Sequence, residues 1–144
     1  MIDYKSIVWS DEFLTGVSEI DEQHRILFTL FNVANAKLET NVSAEFLEKI
    51  TCDLLSYALY HFETEEELMQ EYAYPDDSDD KISHIQQHRF FSNKVVEVRN
   101  GIKAGQLISR EDLLNFLYGW LVNHILNTDK KLGAFILAAR KSSE

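Results

Sequence analysis

The chain is poor in the residues that make turns and staples: 144 residues hold one proline, five glycines and one cysteine. That leaves little material for the frequent turns of an all-β chain and leaves room for long helices. The lone Cys52 excludes an internal disulfide framework and any multi-cysteine zinc or iron–sulfur site, and reads as a buried or half-buried spacer in the second helical segment. Basic residues are scarce as well: 14 Lys and Arg stand against 24 Asp and Glu, a net charge of −10. Nucleic acids and anionic membranes are bound through basic patches, so the balance argues against both. No window approaches the roughly 18 consecutive apolar residues of a membrane span. The first residues contain no apolar run of signal-peptide length, so a soluble cytoplasmic protein is expected. No internal repeat, low-complexity tract or linker divides the sequence. One domain over 1–144 is therefore expected, and 45% apolar residues suffice for a core without staples.

What is present is helical periodicity. Apolar residues recur with a 3.6-residue period over about 20–38, 44–72, 81–103 and 110–128. Ser43 suits the start of the second segment, and Ser109 with Asp112 resembles a capping box for the fourth. Pro75 and its neighbouring aspartates separate the second from the third, with Asp77, Asp79 and Asp80 suited to the positive end of a helix. Gly105 suits the stop of the third. Connections this short favour antiparallel neighbours. The expected fold is all-α: an up-down-up-down antiparallel four-helix bundle with a short N-terminal arm and a C-terminal tail. The tail, 132–139, is expected to add a last helical turn or two.

The apolar stripes carry polar residues that a bundle core should not contain. His24 lies between Ile20 and Leu27, His61 follows Tyr57 by four residues, and Glu65 follows His61 by four. His84 and His88 lead into Phe91, and His124 follows Leu117 and Trp120. All five histidines and one glutamate thus face inward, where an unpartnered carboxylate is costly. Singly, each has an ordinary explanation: His24 a hydrogen-bonded core residue, His61 and Glu65 an ion pair one turn apart, His84 and His88 a coincidence of spacing. His124 and Asp129 could likewise be a helix-end histidine and an unrelated loop residue. Together these explanations require four helices each to bury unexplained polar groups. A metal site satisfies all of them at once. Five imidazoles with two carboxylates exceed the four ligands of a tetrahedral zinc site, which implies two metals. Imidazole with bridging carboxylate suits iron. The duplicated Glu-x-x-His of carboxylate-rich di-iron proteins is missing, since Asp21, Ala58, Lys81, Ile85 and Leu121 precede the histidines by three.

These stretches resemble the hemerythrin family, and within it the single-domain bacterial branch, the bacteriohemerythrins. The resemblance runs through Ile20-Asp21-Glu22-Gln23-His24, His61-Phe62-Glu63-Thr64-Glu65, Tyr74-Pro75, His84-Ile85-Gln86-Gln87-His88, Trp120-Leu121-Val122-Asn123-His124 and Asp129-Lys130. It implies that His84, His88 and His124 bind one iron, His24 and His61 the other, and that Glu65 and Asp129 bridge them with an oxo or hydroxo group. The iron with two histidines would keep the open position where the family binds dioxygen. Leu27, Phe62, Trp120, Leu121 and Ile125 match the apolar wall of that oxygen pocket, though plain core packing accounts for them equally.

The spacing from His124 to Asp129 adds a structural expectation. Five residues of ideal α-helix turn through about 140°, so both side chains reach one site only if the helix widens, as in a π-bulge. Charge counting supports reversibility. Two Fe²⁺, two carboxylates and a hydroxide sum to +1, and so do two Fe³⁺, two carboxylates, an oxo bridge and a hydroperoxide; a dry site therefore suffers little charge penalty either way. The expected function is non-heme di-iron oxygen binding by a monomer, for storage, delivery or sensing, and not an enzyme. A peroxidase, oxidase or nitric-oxide-handling enzyme needs a substrate channel or general acid, and the five pocket residues offer no acid. Sensing needs an output partner, and iron storage is disfavoured by a closed ligand set.

Overall fold

The computed structural model describes residues 7–38, 43–106 and 108–142, so the first six residues of the expected N-terminal arm lie outside it. The helices are α1 (Ser18–Leu38), α2 (Ala44–Glu71), α3 (Asp79–Lys103), α4 (Arg110–Asn123) and α5 (Lys130–Ser142). A π-helical stretch, His124–Asp129, joins α4 to α5 without a break. The four-helix bundle expected from periodicity is present: α2 packs against α1 and α3, α4 against α1, and the π-helical stretch against α3. None of the described helices is long and apolar enough to cross a membrane.

Serine hydroxyls start three of the helices. Ser43 and Ser109 accept from the backbone N–H groups of Phe46 at 3.2 Å and Asp112 at 3.1 Å, as their positions predict. Ser78 does the same for α3 through Lys81 N at 3.2 Å, while the aspartates supply only first-turn charge. Each such cap contributes about 1 kcal/mol. Two helices end alike. After α3, Gly105 is left-handed at φ +87, and the N–H groups of Gly105 and Gln106 return to Ile102 O and Gly101 O. After α2, Ala73 takes that conformation at φ +56, with the N–H groups of Ala73 and Tyr74 on Gln70 O and Met69 O. Both are Schellman closures, one with the expected glycine and one without.

The C-terminal tail is longer than the turn or two expected. Its flanking lysines and arginine interrupt the apolar period, but tertiary contacts hold 13 residues helical as α5. Leu132, Gly133 and Ile136 are buried, and the Arg140 guanidinium donates to Tyr72 Oη at 2.8 Å and to Glu19 at 2.9 Å. The arm closes over the same end. Buried Asp21 accepts from Thr15 N, Thr15 Oγ1 and Gly16 N at 2.8–3.1 Å, folding the arm onto the start of α1.

Two separate apolar clusters form the core. One, with Val17, Ile20, Leu68, Met69, Leu132 and Ile136, fills the end where α5 begins. The other runs from Leu27, Phe31, Phe62 and Phe91 to Leu113 and Leu117 at the opposite end. Each fully buried aliphatic side chain contributes about 1.5–3 kcal/mol. The residues between the clusters are polar, and they make up the site.

Candidate metal centre

Each bundle helix contributes to this layer: α1 supplies His24, α2 His61 and Glu65, α3 His84 and His88, and the π-helical stretch His124 and Asp129. All are buried, with Glu65 and Asp129 at 0% exposure. They fall into two overlapping groups: Glu65, His84, His88, His124 and Asp129 in one, and His24, His61, Glu65 and Asp129 in the other. Within each group one donor atom per residue lies within 4.8 Å of the others. The two carboxylates belong to both groups. Asp129 divides its oxygens, Oδ1 lying 3.2 and 3.1 Å from His84 and His124, and Oδ2 lying 2.8 Å from His24. Glu65 Oε1 stands 3.1 Å from both His61 and His88 and 3.7 Å from His84.

These approaches are close, yet most are not hydrogen bonds. The Nε2 atoms of His24, His61, His84 and His124, Glu65 Oε2 and both Asp129 oxygens are buried without a hydrogen-bond partner. So many orphaned donors and acceptors in a dry core would be strongly destabilising unless something positive sits among them. Imidazole and carboxylate are the donors that iron and similar cations take, so the residues fit a metal pair. Electrostatics agrees for the metal-free chain. Burial opposes charge on His84, but contacts with Asp129 and Glu65 overcome it and push the ring up to about 10. Burial likewise opposes charge on His24 and His88, and the adjacent carboxylates raise both. On His124 burial prevails and the ring is lowered. Burial favours the neutral acid at Glu65 and Asp129, yet the surrounding imidazoles hold both well below the usual carboxylate range. The cage is a sink for positive charge.

The expected distortion between His124 and Asp129 is found: that whole interval is π-helical. The sequence also contains a local correspondence too short and too offset to stand out as a repeat. Gln23-His24 on α1 and Gln87-His88 on α3 are matched, and so are His61-x-x-Thr64-Glu65 and His124-x-x-x-Thr128-Asp129. One inserted residue conceals the second match, and the π-helix absorbs it.

Three outer residues with no role in the sequence reading hold the imidazoles. Gln23 Oε1 contacts His61 Nδ1 and Gln87 Oε1 contacts His124 Nδ1, both at 2.7 Å, and Glu66 Oε2 contacts His88 Nδ1 at 3.2 Å. Of the pocket residues, Leu27, Phe62, Leu121 and Ile125 are buried and Trp120 half-buried, within one cluster. Phe62 stacks on His88 with ring centroids 4.0 Å apart, and Trp120 stacks on His124 at 4.4 Å.

The family model described as the hemerythrin HHE cation binding domain matches residues 15–136. The chain belongs to the hemerythrin family. A bacteriohemerythrin of Stenotrophomonas maltophilia is 32% identical over 124 residues, covering 86% of this chain and 77% of its own. One from Methylococcus capsulatus is 29% identical over 127 residues, covering 88% and 93%. A crystal structure of wild-type hemerythrin superposes with a TM-score of 0.80 at 28% identity, covering 90% of this chain and 97% of that one. Hemerythrin membership accounts for the all-α bundle and for a buried histidine cluster that could hold a cation.

Proposed function

We propose that this hemerythrin is a non-heme di-iron protein that binds dioxygen reversibly and is not an enzyme. The observation that carries the reading is the pair of overlapping ligand groups sharing Glu65 and Asp129. His84, His88 and His124 would hold one iron, His24 and His61 the second, and the two carboxylates both. The irons would supply the electrons that dioxygen binding draws on and recover them on release. The chain's own part is to hold and to exclude. Neutral imidazoles keep the site's charge low, and Leu27, Phe62, Trp120, Leu121 and Ile125 would wall the open position of the two-histidine iron against water. None of those five side chains is an acid able to protonate bound oxygen, which favours reversible binding over turnover. The protein is proposed to act as a monomer in the cytoplasm, with dioxygen as its ligand.

The test is anaerobic loading with Fe²⁺, metal analysis, and cycles of air and oxygen removal. Two irons per chain and a visible band that appears in air and fades on deoxygenation are expected. One metal per chain, or a single irreversible conversion to a ferric form, would overturn the proposal.

A further inference from the structure

The hydrogen bond behind His61 has a fixed direction. The two ends of a glutamine amide are alike in shape, so their orientation follows from what each must donate or accept. The Tyr60 backbone carbonyl can only accept, so the Thr64 hydroxyl 3.2 Å away donates to it. The Thr64 oxygen is then free to accept, and Gln23 Nε2 donates to it at 3.0 Å. Gln23 therefore presents its carbonyl oxygen to His61, 2.7 Å away. A carbonyl only accepts, so His61 carries a proton on Nδ1, and in the neutral ring the Nε2 lone pair is then bare.

Across the bundle a second glutamine carbonyl backs an imidazole, with the threonine now the donor. Gln87 donates through Nε2 to Ser83 Oγ at 3.1 Å, and its carbonyl receives the Thr128 hydroxyl at 2.7 Å. The same oxygen faces His124 Nδ1 at 2.7 Å. In both cases the glutamine precedes a histidine of the cage and the threonine precedes its carboxylate. We infer that Gln23 and Gln87 are positioning residues that set His61 and His124 as Nδ1–H tautomers, baring Nε2 toward Glu65 and Asp129 before any cation arrives. Without those acceptors a proton is free to settle on Nε2, and it must leave before that nitrogen can bind metal. The inference rests on reading these Nε2 atoms as ligands, and its test separates the two claims.

The experiment is imidazole ¹⁵N–¹H correlation NMR on the full metal-free chain, followed by zinc titration. Wild type is expected to carry its His61 and His124 protons on Nδ1. Gln23→Leu should move the His61 proton to Nε2 or into exchange while His124 stays as it was, and Gln23→Glu, which keeps an acceptor, should hold it on Nδ1. Zinc affinity should fall roughly 10–100-fold in Gln23→Leu and largely recover in Gln23→Glu. In the zinc-loaded chain the His61 Nδ1 proton should exchange about tenfold faster in Gln23→Leu than in wild type. An Nε2–H tautomer at either histidine in wild type overturns the inference, and that spectrum decides alone if Gln23→Leu does not fold. An unchanged His61 tautomer in a folded Gln23→Leu overturns it too. Nδ1–H tautomers in a chain that takes up no zinc support the inference and overturn the ligand reading instead.

Discussion

Asp129 Oδ1 lies 3.1 Å from His124 Nε2 although five residues separate the two positions. Glu65 meets His61 at the same 3.1 Å across four residues of regular helix. The π-helical stretch thus makes a five-residue step equivalent to a four-residue one, and α5 follows it without a break. Deleting exposed Asn127 should convert the stretch to α-helix with the spacing of His61 and Glu65, leaving the number of zinc or iron ions per chain unchanged. Inserting one alanine after Asn127 should swing Asp129 away by about 100°. That variant should lose at least one ion per chain by elemental analysis. Full retention after the insertion would mean that Asp129 is not a ligand.

The bundle and six of the cage residues were legible because polar side chains on an apolar stripe stand out against it, while Asp129 was legible only through the resemblance. What surrounds them was not. Gln23 and Gln87 are half-buried amides whose one sequence signal is the shared Gln-His pairing, which does not say which imidazole each one backs. Ser78 stood among aspartates that drew attention to their charge. The length of α5 was underestimated because its ends are basic and its stability is tertiary: Leu132 and Ile136 pack against Ile20 and Met69, and Arg140 reaches Tyr72 and Glu19. The turn at Ala73 gave no signal because the residue that adopts the left-handed conformation is not glycine.

Glu65 sits at the junction of both ligand groups, and its Oε1 approaches three imidazoles. Glu65→Ala should therefore bind at least one ion fewer than wild type. Loading with zinc should raise its melting temperature less than it raises that of wild type, because stabilisation by a ligand follows binding to the folded state. Retention of both ions would contradict a shared role for this carboxylate.

Loading should release protons. In the metal-free chain the His84 ring is raised to about 10 by Asp129 and Glu65, so a proton occupies the cage at neutral pH. A cation must displace it, and apparent affinity should fall as the solution is made more acid. The stability of the metal-free chain follows the same proton. A folded-state value above the ordinary one near 6.5 contributes stability in full below that value, and the contribution is lost as pH rises through about 10. Between neutral pH and pH 10 the melting temperature of the metal-free chain should fall more steeply than that of the zinc-loaded chain. Proton release on zinc binding, measured calorimetrically in buffers of different ionisation enthalpy, checks the first point. Uptake without release would show that the cage is already bare.

Two positions outside the cage test how the bundle ends are held, and they should respond in opposite directions. Ala73 occupies the left-handed position that closes α2, where a Cβ costs about 1–2 kcal/mol. Ala73→Gly removes that strain but loosens the unfolded chain, so a net gain of about 1 kcal/mol is expected in urea melts. Gly133 is the converse. A Cβ there would stand 2.8 Å from both the Thr15 carbonyl oxygen and Thr15 Cβ, so the arm and α5 must separate. Thr15 is itself tied to Asp21 by two hydrogen bonds, at 2.9 and 2.8 Å, and cannot yield freely. Gly133→Ala should cost about 1–3 kcal/mol. The loss should begin at the α5 end, with amide exchange quickening around Leu132 and Ile136 before it does so around Leu113 and Leu117. Uniform acceleration along the whole chain would show instead that the two apolar clusters unfold as one unit.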